Sequence, residues 1–264
     1  SVVDYLTFVG HGRSTYPGVV SSGTCWGAPS GDVPLTLTNC SAQVAHLSML
    51  GTSAVPLVVG ATSSNAVFLL GIDLQTTGTT ALTINTLGAL RASSVSPIGG
   101  DINITNCDTS DWIDCTLQPT QPYTLRLIDG TSNGTHIFHT GGYGDVIISG
   151  RPIVLVRDGV TLSSVDGSAY TTSGATFTCS GNVLGTTLLD PRATIVLNNG
   201  IYGGQVSIES AGGATYVDAT SATFLDSINI GDNIAFDLTR AHYSSLLVTI
   251  GTGATTNYTD HTND

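Results

Sequence analysis

Ile153-Val154-Leu155-Val156-Arg157-Asp158-Gly159-Val160-Thr161-Leu162-Ser163-Ser164-Val165 sets two strand-like runs on either side of an Asp-Gly dipeptide. Val, Ile and Thr fit a pleated, half-buried surface. Asp-Gly takes the positive φ angles of a two-residue hairpin turn. The stretch therefore reads as an antiparallel hairpin. Asn199-Gly200 gives the same signal between the runs 193–197 and 205–209. Ile234, Phe236 and Leu238 alternate cleanly with polar neighbours, as a strand with one buried face does.

Similar short apolar runs recur along the chain, and no window carries an amphipathic helix. The expectation is an all-β protein of many short strands. Its predicted architecture is an antiparallel β-sandwich, jelly-roll or Ig-like, built as one large or two smaller β domains. No fixed-period repeat is visible that would establish a solenoid or a propeller. The segment Thr116-Leu117-Gln118-Pro119-Thr120-Gln121-Pro122 reads as an extended connection, because its two prolines stand in polar context. It divides the chain into residues 1–12, an N-terminal strand; 13–118, a β domain; and 119–264, a second β domain or the continuation of one sandwich.

Composition narrows the function classes. The 264 residues contain no lysine, seven arginines and one glutamate, Glu209. Only 10% are charged, against a norm of about 25%. The net charge of −12 argues against nucleic acid, since phosphate binding needs clustered cations. No apolar stretch is long enough to span a bilayer. A chain starting at Ser1, with Met49 its only methionine, fits a product whose leader has been removed. The expected location is extracellular or cell-surface, or alternatively a virion.

Cys25 and Cys40 enclose fourteen residues, and Cys107 and Cys115 enclose seven. Both spacings suit loop-closing disulfides, leaving Cys179 single. N-x-S/T sequons at Asn39, Asn103, Asn133 and Asn257 are candidate glycosylation sites. Asp108, Asp111 and Asp114 between two cysteines form a Ca²⁺ candidate through oxygen ligands, although the spacing is not that of an EF-hand. A solvated loop is the favoured reading there. His136 and His139 are the most metal-like pair, yet on a strand a three-residue spacing puts them on opposite faces. Gly130-Thr131-Ser132-Asn133-Gly134 matches a nucleophile-elbow string but lacks a following helix. No motif rises to a named activity, so neither a catalytic residue nor a cofactor is expected.

At the N-terminus, Val2, Val3, Tyr5, Leu6, Phe8 and Val9 make a short strand that is apolar on both faces, followed by Gly10-His11-Gly12. Such a strand can complete its own sheet or a neighbour's by β-strand addition. An apolar N-terminal strand ahead of a Thr/Ser/Gly-rich β body resembles the donor-strand filament subunits of archaeal threads and bundling pili. The resemblance implies a head-to-tail homopolymer in which each N-terminal strand inserts into the next subunit by donor-strand complementation. The leading expectation is therefore a non-enzymatic extracellular structural subunit that self-associates, with the four sequons as candidate sites for covalent glycans. The alternatives are a virion capsid, decoration or fibre protein, and a secreted carbohydrate-binding or carbohydrate-active protein.

Overall fold

Up to Ile98 the computed structural model describes the strands Val2–Val3, Leu6–Val9, Gly18–Trp26, Leu35–Thr38, Ala42–Leu50, Leu57–Ala61, Val67–Gln75, Thr80–Thr86 and Ala89–Ile98, with side chains at 69–71, 82–84 and 89–95. It also describes residues 100–263 apart from 106, 108, 116–122, 130–133, 171–174, 210–214, 244–247 and 258–261. The chain is all-β, as expected. The strands, however, pair in parallel as a β-solenoid, which overturns the antiparallel sandwich. From Thr135 onward the coil makes about seven turns.

One turn shows how the coil is built. Ile153–Val156 lies on one face, residues 160–162 on the next, and residues 164–170 on a third. The following turn repeats this order with Thr176–Cys179, Asn182–Val183 and Thr187–Leu189. We number the faces by these ladders: face 1 contains Thr187–Leu189, face 2 Thr176–Cys179, and face 3 Asn182–Val183. Each strand bonds to its equivalent one turn away. Ile153 pairs with Thr176, Leu162 with Val183, and Val165 with Thr187.

The Asp158-Gly159 reading fails for a local reason. A type I′ hairpin needs two consecutive positive φ angles. Here only Gly159 has one (φ 82), and at the second site only Asn199 does (φ 59). A single left-handed residue bends the chain around a corner and does not reverse it. Ser221 (φ 59) and Arg240 (φ 55) turn the same corner in later coils. There, Asp218 Oδ1 accepts from Thr220 N (3.0 Å) and Oγ1 (2.7 Å). Asp237 Oδ1 likewise accepts from Thr239 N (2.9 Å) and Oγ1 (2.6 Å).

The core is a set of columns running along the coil axis. On face 1, Leu82, Ile102, Leu125, Val146, Val165, Thr187, Val206, Ile228 and Val248 are successive register partners. All but Val248 are buried. Each buried aliphatic side chain contributes about 1.5–3 kcal/mol of transfer free energy. On face 2 the inward column runs Leu90, Ser110, His136, Val154, Phe177, Ile195, Val217 and Phe236. On face 3 the rings of Tyr202 and Phe224 stack 5.2 Å apart.

Two ladders pass across the Pro119–Pro122 region. Thr109–Cys115 pairs with 135–141, and Asp101–Thr105 pairs with Thr124–Asp129. The N-terminal strand also has an internal partner: Leu6 pairs with Leu35 and Val9 with Thr38, both in parallel. Val2 and Val3 pair with Thr24 and Cys25. Val2, Val3, Leu6, Phe8 and Val9 thus stand in rungs of the chain's own coil, and this fold conflicts with donor-strand complementation. Tyr5 lies outside the described residues.

Thr187 is the one polar member of the face 1 column, and its buried hydroxyl has no hydrogen-bond partner. A buried unmatched hydroxyl costs stability, and valine has the same shape without it. Thr187→Val should therefore raise the unfolding free energy by about 1 kcal/mol. Urea unfolding measures the change; a loss of stability would show that the hydroxyl has a partner.

Candidate binding groove on face 2

The outward side chains of face 2 alternate with the core column just described. His139 is the residue after the buried Phe138 and faces out, half-buried. His136 is wholly buried, so the two histidines do point to opposite faces. His139 Nε2 lies 3.0 Å from Asp111 Oδ1 on the preceding turn. Beside this pair, at the corner toward face 3, an open groove of about 560 Å³ is lined by His139, Leu155, Arg157, Asp158, Thr178, Ser180 and Asn199.

These residues reach one place because four turns stack there. Phe138, Val156 and Cys179 are register partners in the core, so the residues that follow them form one outward row. The backbone follows suit: Arg157 N donates to Phe138 O (3.0 Å) and Ser180 N to Val156 O (2.8 Å). The groove combines a guanidinium, a carboxylate, two hydroxyls and an amide over the aliphatic Leu155. It offers donors and acceptors in planar pairs, the inventory that matches a polyol. Asp111 and His139 form a hydrogen-bonded acid–base pair beside the groove.

The other sequence candidates are dispersed. Cys107, Cys115 and Cys179 are buried thiols, so no bridge joins Cys107 to Cys115. The Cys107 Sγ–H donates to Thr109 O (3.2 Å), and Cys115 Sγ lies 3.8 Å from Ile113 O. Burial pushes the Cys115 and Cys179 thiols up to about 11, so both stay protonated at neutral pH. A short loop between cysteines signals a disulfide only when the segment is a loop. Here Thr109–Cys115 is a strand whose buried positions are Ser110, Trp112 and Cys115. Cys40 lies outside the described residues, and no side chain is described for Cys25.

Among the described residues no group of three His, Cys, Asp or Glu side chains could hold a metal ion. Asp111 is engaged by His139, and Asp114 Oδ1 accepts from Thr140 Oγ1 (2.6 Å). Asp108 lies outside the described residues, as do Asn39, Asn133 and the segment 130–133. Asn103 is half-buried in mid-strand on face 1, in register between Thr83 and Arg126. Asn257 is exposed at the end of Thr255–Asn257. Among the described residues no helix is long and apolar enough to cross a membrane.

Ionic contacts escaped sequence reasoning, among them Arg126 with Asp101 (3.3 Å) and, more buried, Arg192 with Asp190. Asp190 is buried on the turn after Thr187–Leu189, and Arg192 grips it through Nε (2.9 Å to both oxygens) and a close Nη2 contact. Burial opposes the charge, but the Arg192 hydrogen bonds and cation outweigh it and hold the carboxyl below its usual range. A depressed folded pKa gives stability that is present above the unfolded value, about 3.9, and lost as pH falls through the folded one. Asp190→Asn should thus lower the Tm at pH 7. The gap to the parent should close as pH drops below about 4. A gap independent of pH would show that the ion pair adds nothing.

No protein-family model matches this chain, and neither a curated protein nor a solved structure matches it.

Proposed function

We propose that this chain is a non-enzymatic structural module: a charge-sparse β rod that self-associates in an extracellular or virion surface assembly. The observation that supports this reading is the continuous parallel ladder, which stacks one cross-section over the coil. Each turn adds about 4.8 Å of length at constant width. Burial goes into the rod, and the outward positions are dominated by Thr, Ser, Asn and Asp. Such surfaces meet other surfaces with little charge to desolvate. Negative-stain electron microscopy of the purified chain tests the reading. Rods joined into longer or bundled particles are expected. Dispersed single rods at every concentration would count against assembly.

The groove on face 2 favours a second reading, binding of a neutral saccharide. Planar Arg157, Asp158 and Asn199 groups pair with vicinal hydroxyls, and Leu155 meets an apolar sugar face. A glycan array would report a hit that Arg157→Ala removes. A hit insensitive to that substitution would place any saccharide site elsewhere.

A further inference from the structure

Face 3 differs from the other two in its charge. Face 1 carries Asp101, Asp145, Asp166 and Glu209, and face 2 carries Asp111, Asp218 and Asp237. From residue 160 onward the described strands of face 3 are residues 160–162, Asn182–Val183, Ile201–Tyr202, Thr223–Phe224, His242–Tyr243 and Thr262–Asn263. With the residue that follows each of the first four, they hold no carboxylate and no guanidinium. Among the described residues, charged groups stand at the margins of these strands, Asp226 on one side and Arg157, Asp158 and Arg240 on the other, with Asp114 at the end of the ladder beyond residues 141–143.

The same face holds three of the large hydrophobic side chains that the described residues expose: Leu184 (59%), Ile201 (45%) and Leu225 (63%). They lie close together. Leu184 N donates to Leu162 O, Gly203 N to Val183 O and Leu225 N to Tyr202 O, which sets Leu184, Gly203 and Leu225 on successive turns. Leu184 and Leu225 are thus about 10 Å apart along the axis, and Ile201 lies two residues from Gly203 along its strand. Gly203 cannot carry a side chain, because a Cβ there would sit 2.7 Å from Leu184 O. The result is a hollow walled by three aliphatic side chains on an uncharged sheet.

We propose that this hollow is a self-association surface whose occupant is a second copy of the chain. The argument is electrostatic. Two bodies of net charge −12 repel each other, and the repulsion is smallest where neither presents charge. Face 3 meets that condition in the described strands, and its apolar centre with a charged margin is the anatomy of a protein interface. A two-fold contact places Leu184 or Leu225 of each copy into the hollow at Gly203 of the other, so the same patch serves both partners. This inference rests on the assembly reading above and names the surface that reading leaves open.

Sedimentation velocity on the full chain, over a concentration series, is the test. The parent chain should associate, and Leu184→Asp with Leu225→Asp should weaken the dissociation constant at least about tenfold. Circular dichroism and Tm should stay unchanged, because both side chains are exposed. Should the aspartates perturb folding, Leu184→Ser with Leu225→Ser gives the same readout without new charge. Tyr216→Asp, on face 2, should associate as the parent does. A double variant that associates like the parent overturns the surface and leaves the assembly reading standing. A parent chain that is monomeric throughout overturns both.

Discussion

Gly144→Ala should destabilise the chain by on the order of 3–5 kcal/mol, the largest effect expected of any single methyl. A Cβ at position 144 would lie 1.8 Å from Tyr123 O and 2.9 Å from the Tyr123 carbonyl carbon. Both are backbone atoms, so no rotamer change relieves the overlap. Tyr123 O is also the acceptor for Asp145 N (3.0 Å), which starts the pairing of Thr124–Asp129 with residues 145–150. Relief requires that strand to move away, which exposes Leu125 and Leu127 in the core columns. Gly159→Ala is the control. Nothing lies within 4 Å of its Cβ, and only the left-handed backbone (φ 82) resists a side chain. That costs about 1–2 kcal/mol. Thermal or urea unfolding of both variants compares the two. Equal losses would mean that the turns do not approach as closely as described.

Ser110→Ala should cost about 2–4 kcal/mol, and its coupling to His136 is the informative quantity. Ser110 and His136 are register partners in the face 2 core column, between Leu90 and Val154, and both are fully buried. Ser110 Oγ lies 2.7 Å from His136 Nδ1 and accepts from Trp112 Nε1 at 2.9 Å. Removing the hydroxyl takes a partner from two buried groups at once, each worth about 1–3 kcal/mol when left unmatched. Removing His136 as well should recover part of that loss. In a cycle of Ser110→Ala, His136→Leu and the pair, the double variant should be more stable than the sum of the singles by about 1–2 kcal/mol. Strict additivity would show that the hydroxyl and the imidazole do not interact. Trp112 fluorescence should change with Ser110→Ala and so reports the same network locally.

The all-β class was legible because alternation survives in any sheet with one buried face. Ile234, Phe236 and Leu238 are buried, as their pattern requires. Alternation says nothing about strand direction, however, and the antiparallel reading rested on Asp158-Gly159 and Asn199-Gly200 as reversals. The repeat itself was hidden by its spacing. The face 1 register partners from Leu35 to Val248 are separated by 19 to 25 residues, because the corners absorb insertions without disturbing the columns. A search at one fixed period blurs such a pattern. A usable signal did exist. Asp218-Ala219-Thr220-Ser221-Ala222-Thr223-Phe224 and Asp237-Leu238-Thr239-Arg240-Ala241-His242-Tyr243 share an Asp-x-Thr corner, a small residue and an inward aromatic. The groove was not legible, since His139, Arg157, Ser180 and Asn199 are scattered in sequence and only the stacking of turns unites them.

The direction of the backbone hydrogen bonds has a mechanical consequence. In a parallel coil these bonds run from turn to turn, along the long axis of the molecule. A pull applied at the two ends therefore loads the turns in series. The terminal turn opens first and the rest hold, so the molecule peels turn by turn at modest force. Compression instead presses each turn onto a close-packed neighbour, and bending must stretch one face while crowding the other two. As a mechanical part, the chain is suited to be a strut that holds two things apart, and ill suited to be a tether that holds them together.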